Sequence, residues 1–216
     1  VYNSVNKHCW LQAIWTHQNF KMNYWKHSLL SKKKFKGVAE DYLHIHKFID
    51  TSKLFYFDIK HRILLHNTYG IDICIQKFGE TLINSDSQTI LIRDIAAEHC
   101  KEDLMGIVPT LNNWFKYVDE SLLNLIKPIN PSDSKLKEFI LRPFIMSGLK
   151  STLIITHSNF GVFLTKEILG IDYALELANH LEGANINEML QHVKLKDKWQ
   201  YTPDLQQLKN IENGIN

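Results

Sequence analysis

The sequence predicts a mainly α-helical protein: a helical bundle domain with one small β-hairpin, tandemly duplicated. Three observations carry this expectation. Apolar residues recur at three and four spacing over most of the chain. A single alternating stretch, ETLINSDSQTILIRD, flanks a polar turn. The segment HNTYGIDICIQKFG (66–79) returns as HSNFGVFLTKEILG (157–170), with histidine, aromatic, glycine and closing glycine in the same order.

The elements follow in chain order. The opening VYNSVNKHCWLQAIWTHQNFKMNYW holds Trp10, Trp15 and Trp25 among polar residues. It reads as an aromatic-rich arm, about 1–24, that docks on another protein or packs on its own domain. The run KKKFK, Lys32 to Lys36, reads as a solvated turn. A short helix is expected over Asp41–Ile49 and a long one from about Lys53 to Phe78, stopped by Gly79. Thr81–Ile83 and Thr89–Ile92 form the hairpin around NSDS. Helix resumes over Ile95–Leu104, and Pro109 opens another in its first turn, running through Trp114 and Tyr117. KPINPSDSK, 127–135, has two prolines in a polar cluster and marks a boundary. The organisation expected is therefore an arm (1–24), a first copy (25–117), a linker (118–135), a degenerate second copy (136–212) and a tail (213–216).

The echo supports duplication. His66, Gly70 and Gly79 meet His157, Gly161 and Gly170 at an offset of 91, while His99 meets His192 and Pro109 meets Pro203 at 93 and 94. At offset 91 the counterparts of His46, Asp50 and His61 are Lys137, Leu141 and Thr152, so the second copy keeps the glycines and loses the polar face.

Composition narrows the function classes. A 44% hydrophobic, 22% charged chain of 216 residues is globular in character. A net charge of +2 gives no strong nucleic-acid signal. Cys9, Cys74 and Cys100 are odd in number and scattered, which indicates neither a disulfide framework nor a zinc knuckle and suits a reducing compartment. No apolar run approaches ~18 residues, so no transmembrane helix is expected. The chain starts at Val1, consistent with a removed targeting peptide, an incomplete chain or a fragment. Lysine outnumbers arginine 22 to 3, which reflects codon bias rather than activity.

The chemistry-bearing residues lie in the first copy. His46 with Asp50, Asp58 with His61, and His99 with Asp103 stand three or four apart, the spacing of a shared helix face. Three such faces turned inward are one way for a bundle to hold zinc, iron or manganese. The expected ligands are His46, Asp50, His61 and His99, with His27, Asp58, His66 and Asp103 as further members. On a continuous helix His61 and His66, five apart, point in different directions, so only one of them is expected at a common site. The bland alternative is that the histidines satisfy buried helix ends. No HExxH, no adjacent His-Asp doublet, no G-x-S-x-G and no P-loop occurs, and neither Cys74 nor Cys100 has the setting of a nucleophile.

EDYLHIHKFIDTSK, DIKHRILLHNTYGI, QKFG, INSD, IRDIAAEH, KEDL, and PT with a tryptophan four residues after Thr110 together resemble a family of small uncharacterised bacterial and phage proteins, over about 27–117. The resemblance implies a domain and a fold but no activity. The positions it singles out include His27, Asp41, His46, Asp50, Lys53, His61, Arg62, His66, Gly70, Gly79, Arg93, His99, Asp103 and Pro109. The chain departs from the pattern at His44, where proline is expected, and in LMGIVPT, one residue longer than usual.

The leading expectation is a non-catalytic structural or accessory subunit of a larger assembly, for which a mitochondrial respiratory, ATP-synthase or ribosomal complex is the preferred setting. Its partners would be other protein subunits, met through the aromatic arm and helical faces. The alternative is a metal-dependent hydrolase using the His/Asp site, with a cytoplasmic location open if the mitochondrial one fails. A third, weaker reading is nucleic-acid binding through KKKFK and Lys26.

Overall fold

The computed structural model describes residues 24–195. Of the arm expected over 1–24, residues 1–23 lie outside the described residues, as do the end of the second copy, Pro203 and the 213–216 tail.

The first segment is built from helices packed around a histidine-rich centre. Helix α1 (Tyr24–Phe35) lies along α2 (Ala39–Asp50). Lys32, Lys33 and Lys34 are exposed, as expected of KKKFK, but they form the last turn of α1 rather than a loop. Positive side chains there suit the negative end of the helix dipole. Helix α2 buries Tyr42, Ile45, Phe48 and Ile49 at three and four spacing. The side chain of Asp41 accepts from the Val38 N–H at its start and from Ser85 in the hairpin turn.

The long helix expected over 53–78 is broken. Thr51–Leu54 and Ile59–His61 are 3-10 turns, α3 covers only Arg62–Leu65, and α4 runs Thr68–Phe78. Two residues impose the breaks. Asp58 caps the second turn by accepting from the Lys60 N–H. Asn67, fully buried, caps α4 by accepting from the Tyr69 and Gly70 N–H groups and donates back to the Ile63 carbonyl. Its extended backbone (φ −163°, ψ 178°) cannot continue a helix. The apolar spacing persists across the break, which is why periodicity alone runs through it.

Gly79 ends α4 with a positive φ of 87°. Strands β1 (Thr81–Ile83) and β2 (Thr89–Leu91) then pair antiparallel, Leu82 opposite Ile90, and β2 leads directly into α5 (Ile92–Asp103). Pro109 stands one residue ahead of the cap rather than inside the next helix: Thr110 is the N-cap of α6 (Leu111–Trp114) and exchanges hydrogen bonds with Asn113. The Pro109 carbonyl instead takes the Thr68 N–H.

The expected linker holds α7 (Leu122–Leu125) and a bridge between Val118 and Val193; residues 127–133 carry no regular element. Helices α8 (Ser134–Ser147), α9 (Asn159–Ile168), α10 (Ile171–Leu181) and α11 (Ile186–Gln191) follow, with a 3-10 turn at Lys150–Ile155. Side chains from both sides of the linker join one apolar cluster in which Phe55 meets Phe160 edge-on, ring centroids 5.0 Å apart. Arg142 on α8 also grips Asp72 on α4 through two hydrogen bonds of 2.5 and 2.6 Å.

The sequence echo has a geometric counterpart. In both places a 3-10 turn leads to a buried histidine, a polar N-cap (Asn67 or Ser158), a helix whose third residue is glycine, and a positive-φ glycine at its end. A Cβ on Gly70 would sit 1.8 Å from the Leu65 carbonyl oxygen, and one on Gly161 would sit 2.0 Å from that of Thr156. The likeness stops there. α4 is followed by the hairpin, whereas Gly170 opens α10 directly, and His192 sits at the end of α11 while His99 lies within α5. The offset-93 pairing therefore does not join equivalent places.

Candidate metal centre

Three helices aim histidines at one point, two of them with a carboxylate one turn away and one with a serine. His27 and Ser31 are one turn apart on α1, His46 and Asp50 on α2, and His99 and Asp103 on α5. The break between α3 and α4 adds the fourth wall. Because the chain turns at His66 and Asn67, His61 and His66 approach with ring centroids 5.2 Å apart, against the expectation that they diverge. His46, Asp50, His66 and His99 are fully buried, and His27 and His61 nearly so.

Asp50, His61, His66 and Asp103 each offer one ligand atom, all within 4.8 Å of one another. His27, Asp50 and His99 form a second such set that shares Asp50. His66 Nε2 lies 3.2 Å from Asp103 Oδ2, 3.7 Å from Asp50 Oδ1 and 3.1 Å from His99 Nε2. His99 Nε2 is 3.6 Å from Asp50 Oδ1. Of the expected members, only His46 and Asp58 fall outside both sets.

His46 stands one ring behind. Its Nδ1 meets His99 Nδ1 at 3.0 Å and its Nε2 meets Ser31 Oγ at 2.9 Å. When Ser31 accepts from His46, His99 donates from Nδ1 to His46 and turns its Nε2 lone pair toward Asp50 and His66. Such a chain fixes the tautomer of a ligand histidine. Nothing in the sequence announces Ser31, since its role depends on how α1 lies along α2. Asp58 is an exposed cap whose side chain takes no part, but its backbone carbonyl accepts from His61 Nδ1 at 2.6 Å.

That last contact decides the state of His61. A carbonyl only accepts, so Nδ1 carries the proton. Burial first, and then neighbouring His66, push the imidazole down to about 3, so it is neutral. Its Nε2 is therefore a bare lone pair, buried and without a hydrogen-bond partner. Neither Asp50 oxygen has a hydrogen bond of good geometry, although Lys53 Nζ lies 2.7 Å from Oδ1. Leaving such groups unsatisfied costs about 1–3 kcal/mol each, more when charged.

Electrostatics inside the cluster are strongly tuned. Burial opposes charge on Asp50 and Asp103, yet the facing histidines, with Lys53 beside one and Arg62 beside the other, hold both carboxyls far below their ordinary range. Burial followed by the proximity of His99 takes His46 down to about 2, and burial, partly offset by Asp50, takes His99 to about 4. Burial would lower His27 as well, but Asp103 and Glu102 more than offset it and hold it at about 9. His27 Nδ1 donates to Glu102 at 2.5 Å.

A cavity of about 450 Å³ opens on the cluster, lined by Lys26, His27, Lys53, Arg62, Glu102 and Asp103. The second segment supplies nothing comparable: Lys137 is exposed, Leu141 half-buried, and Thr152 buried in hydrogen bonds to Leu149 and Ser147. Among the described residues, only the two sets above gather metal-ligating side chains.

The stretch holding all of these residues, from His27 to Asp103, coincides with a recognised domain. A domain of unknown function, DUF6915, covers residues 22–122. The DUF6915 stretch includes α1 to α6, the hairpin and the whole cluster, and ends at the first residue of α7. No curated protein and no solved structure matches the chain. The chemistry of the DUF6915 domain therefore has to be read from its own side chains. Among the described residues no helix is long and apolar enough to cross a membrane.

Proposed function

We propose that this protein is a metal-dependent hydrolase whose cation is held by Asp50, His61, His66 and Asp103. The observation that carries the reading is the His61 Nε2 lone pair, buried, partnerless and grouped with two carboxylates and a second imidazole. Two imidazoles and two carboxylates suit zinc, iron or manganese. A cation there supplies Lewis acidity and an acidified water. The chain's own residues do the rest: the Asp58 carbonyl orients His61, the Ser31–His46 chain orients His99, and the cavity admits a substrate.

A purely structural subunit gains little from a bare buried imidazole and two buried carboxylates whose ion pairs to Lys53 and Arg62 only offset the cost of burial. For that reason the metal reading is preferred to the accessory-subunit expectation in a mitochondrial respiratory, ATP-synthase or ribosomal complex. The second half is read as a degenerate copy that braces the first; the repeated turn, cap and glycine geometry at 59–79 and 150–170 supports this.

Elemental analysis of protein from its native source, with an inventory of co-purifying chains, tests the reading. One transition metal per chain is expected, lost in His61→Ala and Asp50→Asn and kept in Asp58→Asn. No metal together with a fixed set of partner chains would overturn it in favour of the accessory subunit.

A further inference from the structure

The rim of the cavity is basic where its floor is acidic. Lys53 Nζ lies 2.7 Å from Asp50 Oδ1 and Arg62 Nε lies 3.4 Å from Asp103 Oδ2. Both basic side chains are about one-fifth exposed, whereas Asp50 is fully buried and Asp103 mostly so. Each thus reaches down from the opening to a carboxylate of the candidate ligand set. Lys26 lines the same opening.

Around the cavity the carboxylates of Asp50, Glu102 and Asp103 face Lys26, Lys53 and Arg62, together with His27, which sits against Glu102 and Asp103. A divalent cation bound to Asp50 and Asp103 takes over the neutralisation of those two carboxylates, which leaves Lys53 and Arg62 as positive groups at the mouth. The result is a metal-floored, cation-rimmed pocket. An arginine fork beside a lysine point charge above a metal is the arrangement that holds a doubly charged tetrahedral oxyanion, whose several oxygens engage all three.

From this geometry we infer that the substrate is a phosphate ester, with Lys53 and Arg62 released from Asp50 and Asp103 by the cation to grip the phosphoryl group. The inference rests on the metal reading. In the reaction the oxygen of water bonds to phosphorus, the ester P–O bond breaks, and the departing alkoxide takes the proton that the water gives up; nothing is oxidised or reduced. Glu102 lies on the cavity wall outside both ligand sets, where it accepts from His27 Nδ1.

The test uses the full 216-residue chain, loaded with Mn²⁺ and titrated with inorganic phosphate, with acetate as the comparison anion. Binding is followed by calorimetry and by Mn²⁺ broadening of the ³¹P resonance. Mn²⁺ should bind first, phosphate should then bind with strong broadening, and acetate should not compete. Lys53→Met and Arg62→Met should each weaken phosphate at least tenfold while Mn²⁺ affinity holds or tightens, because each removes a competitor for a ligand carboxylate. If Arg62→Met loses its cooperative melt, Arg62→Lys carries the same test, keeping the charge without the fork and still weakening phosphate. Phosphate that fails to bind, is matched by acetate, or ignores both substitutions overturns the phosphate inference and leaves the metal reading standing. Failure of Mn²⁺ to bind in the first titration overturns both.

Discussion

His157 illustrates what the second segment did with its histidine. It occupies the place that His66 holds in the first, but it is buried among apolar residues and Thr156, and burial takes it down to about 4. Its folded pKa lies below the ordinary value of 6.5, so between those values the unfolded chain binds more protons than the folded one. Stability from this group is fully present above about 6.5 and is lost as pH falls toward 4, by roughly 3 kcal/mol from the size of the shift. Urea melts of wild type and His157→Gln, compared from pH 7.5 to 4.5, should show a shallower acid loss in the variant; parallel curves would reject the assignment. The residues of the candidate site were legible as types and spacings: four of the six in the two ligand sets, Asp50, His61, His99 and Asp103, stand three or four residues from another histidine or aspartate. Their assembly was not legible. Ser31 reaches His46, and Arg62 reaches Asp103, only through the packing of separate helices.

Helices α2, α4 and α5 were legible from apolar spacing and capping residues, and so was the hairpin, because NSDS is a turn flanked by β-branched residues; α1 was not, since its residues read as the end of an arm and a basic turn. What spacing missed was the interruption at His66 and Asn67. Asn67 ahead of Thr68 and Gly70 is a helix-start signature, but the apolar rhythm on either side stays in phase and hides it. Glycine is required at the third residue of α4 and of α9 because the carbonyl of the residue five earlier fills the space of a Cβ. Gly70→Ala and Gly161→Ala should each destabilise by about 3 kcal/mol or more, since backbone rather than a side-chain tip has to move. Gly70→Ala should in addition disturb the His61–His66 approach and lower metal content, while Gly161→Ala should leave metal content intact. Differential scanning calorimetry with elemental analysis separates the two effects.

Taken together, the two segments share one apolar cluster and are stitched by Arg142–Asp72, Lys77–Glu167 and the Val118–Val193 bridge. The boundary predicted at 127–135 is therefore a connection that core packing spans. A double-mutant cycle on Asp72→Asn and Arg142→Gln should return a coupling of about 1 kcal/mol, as expected of a bidentate but partly exposed pair, and it should shrink in high salt. A coupling of zero would mean that the clamp contributes nothing beyond the apolar contact. The gathering of His27, Asp50, His61, His66, His99 and Asp103 from elements far apart in the chain has a kinetic corollary. An unfolded or nascent chain presents neither complete set, because the members come from separate elements and His61 and His66 converge only after the turn at Asn67 has formed. A cation thus cannot act as a folding template here: refolding rates should be the same with and without Mn²⁺, and the ion should make itself felt only in the unfolding arm, by slowing escape from the finished structure.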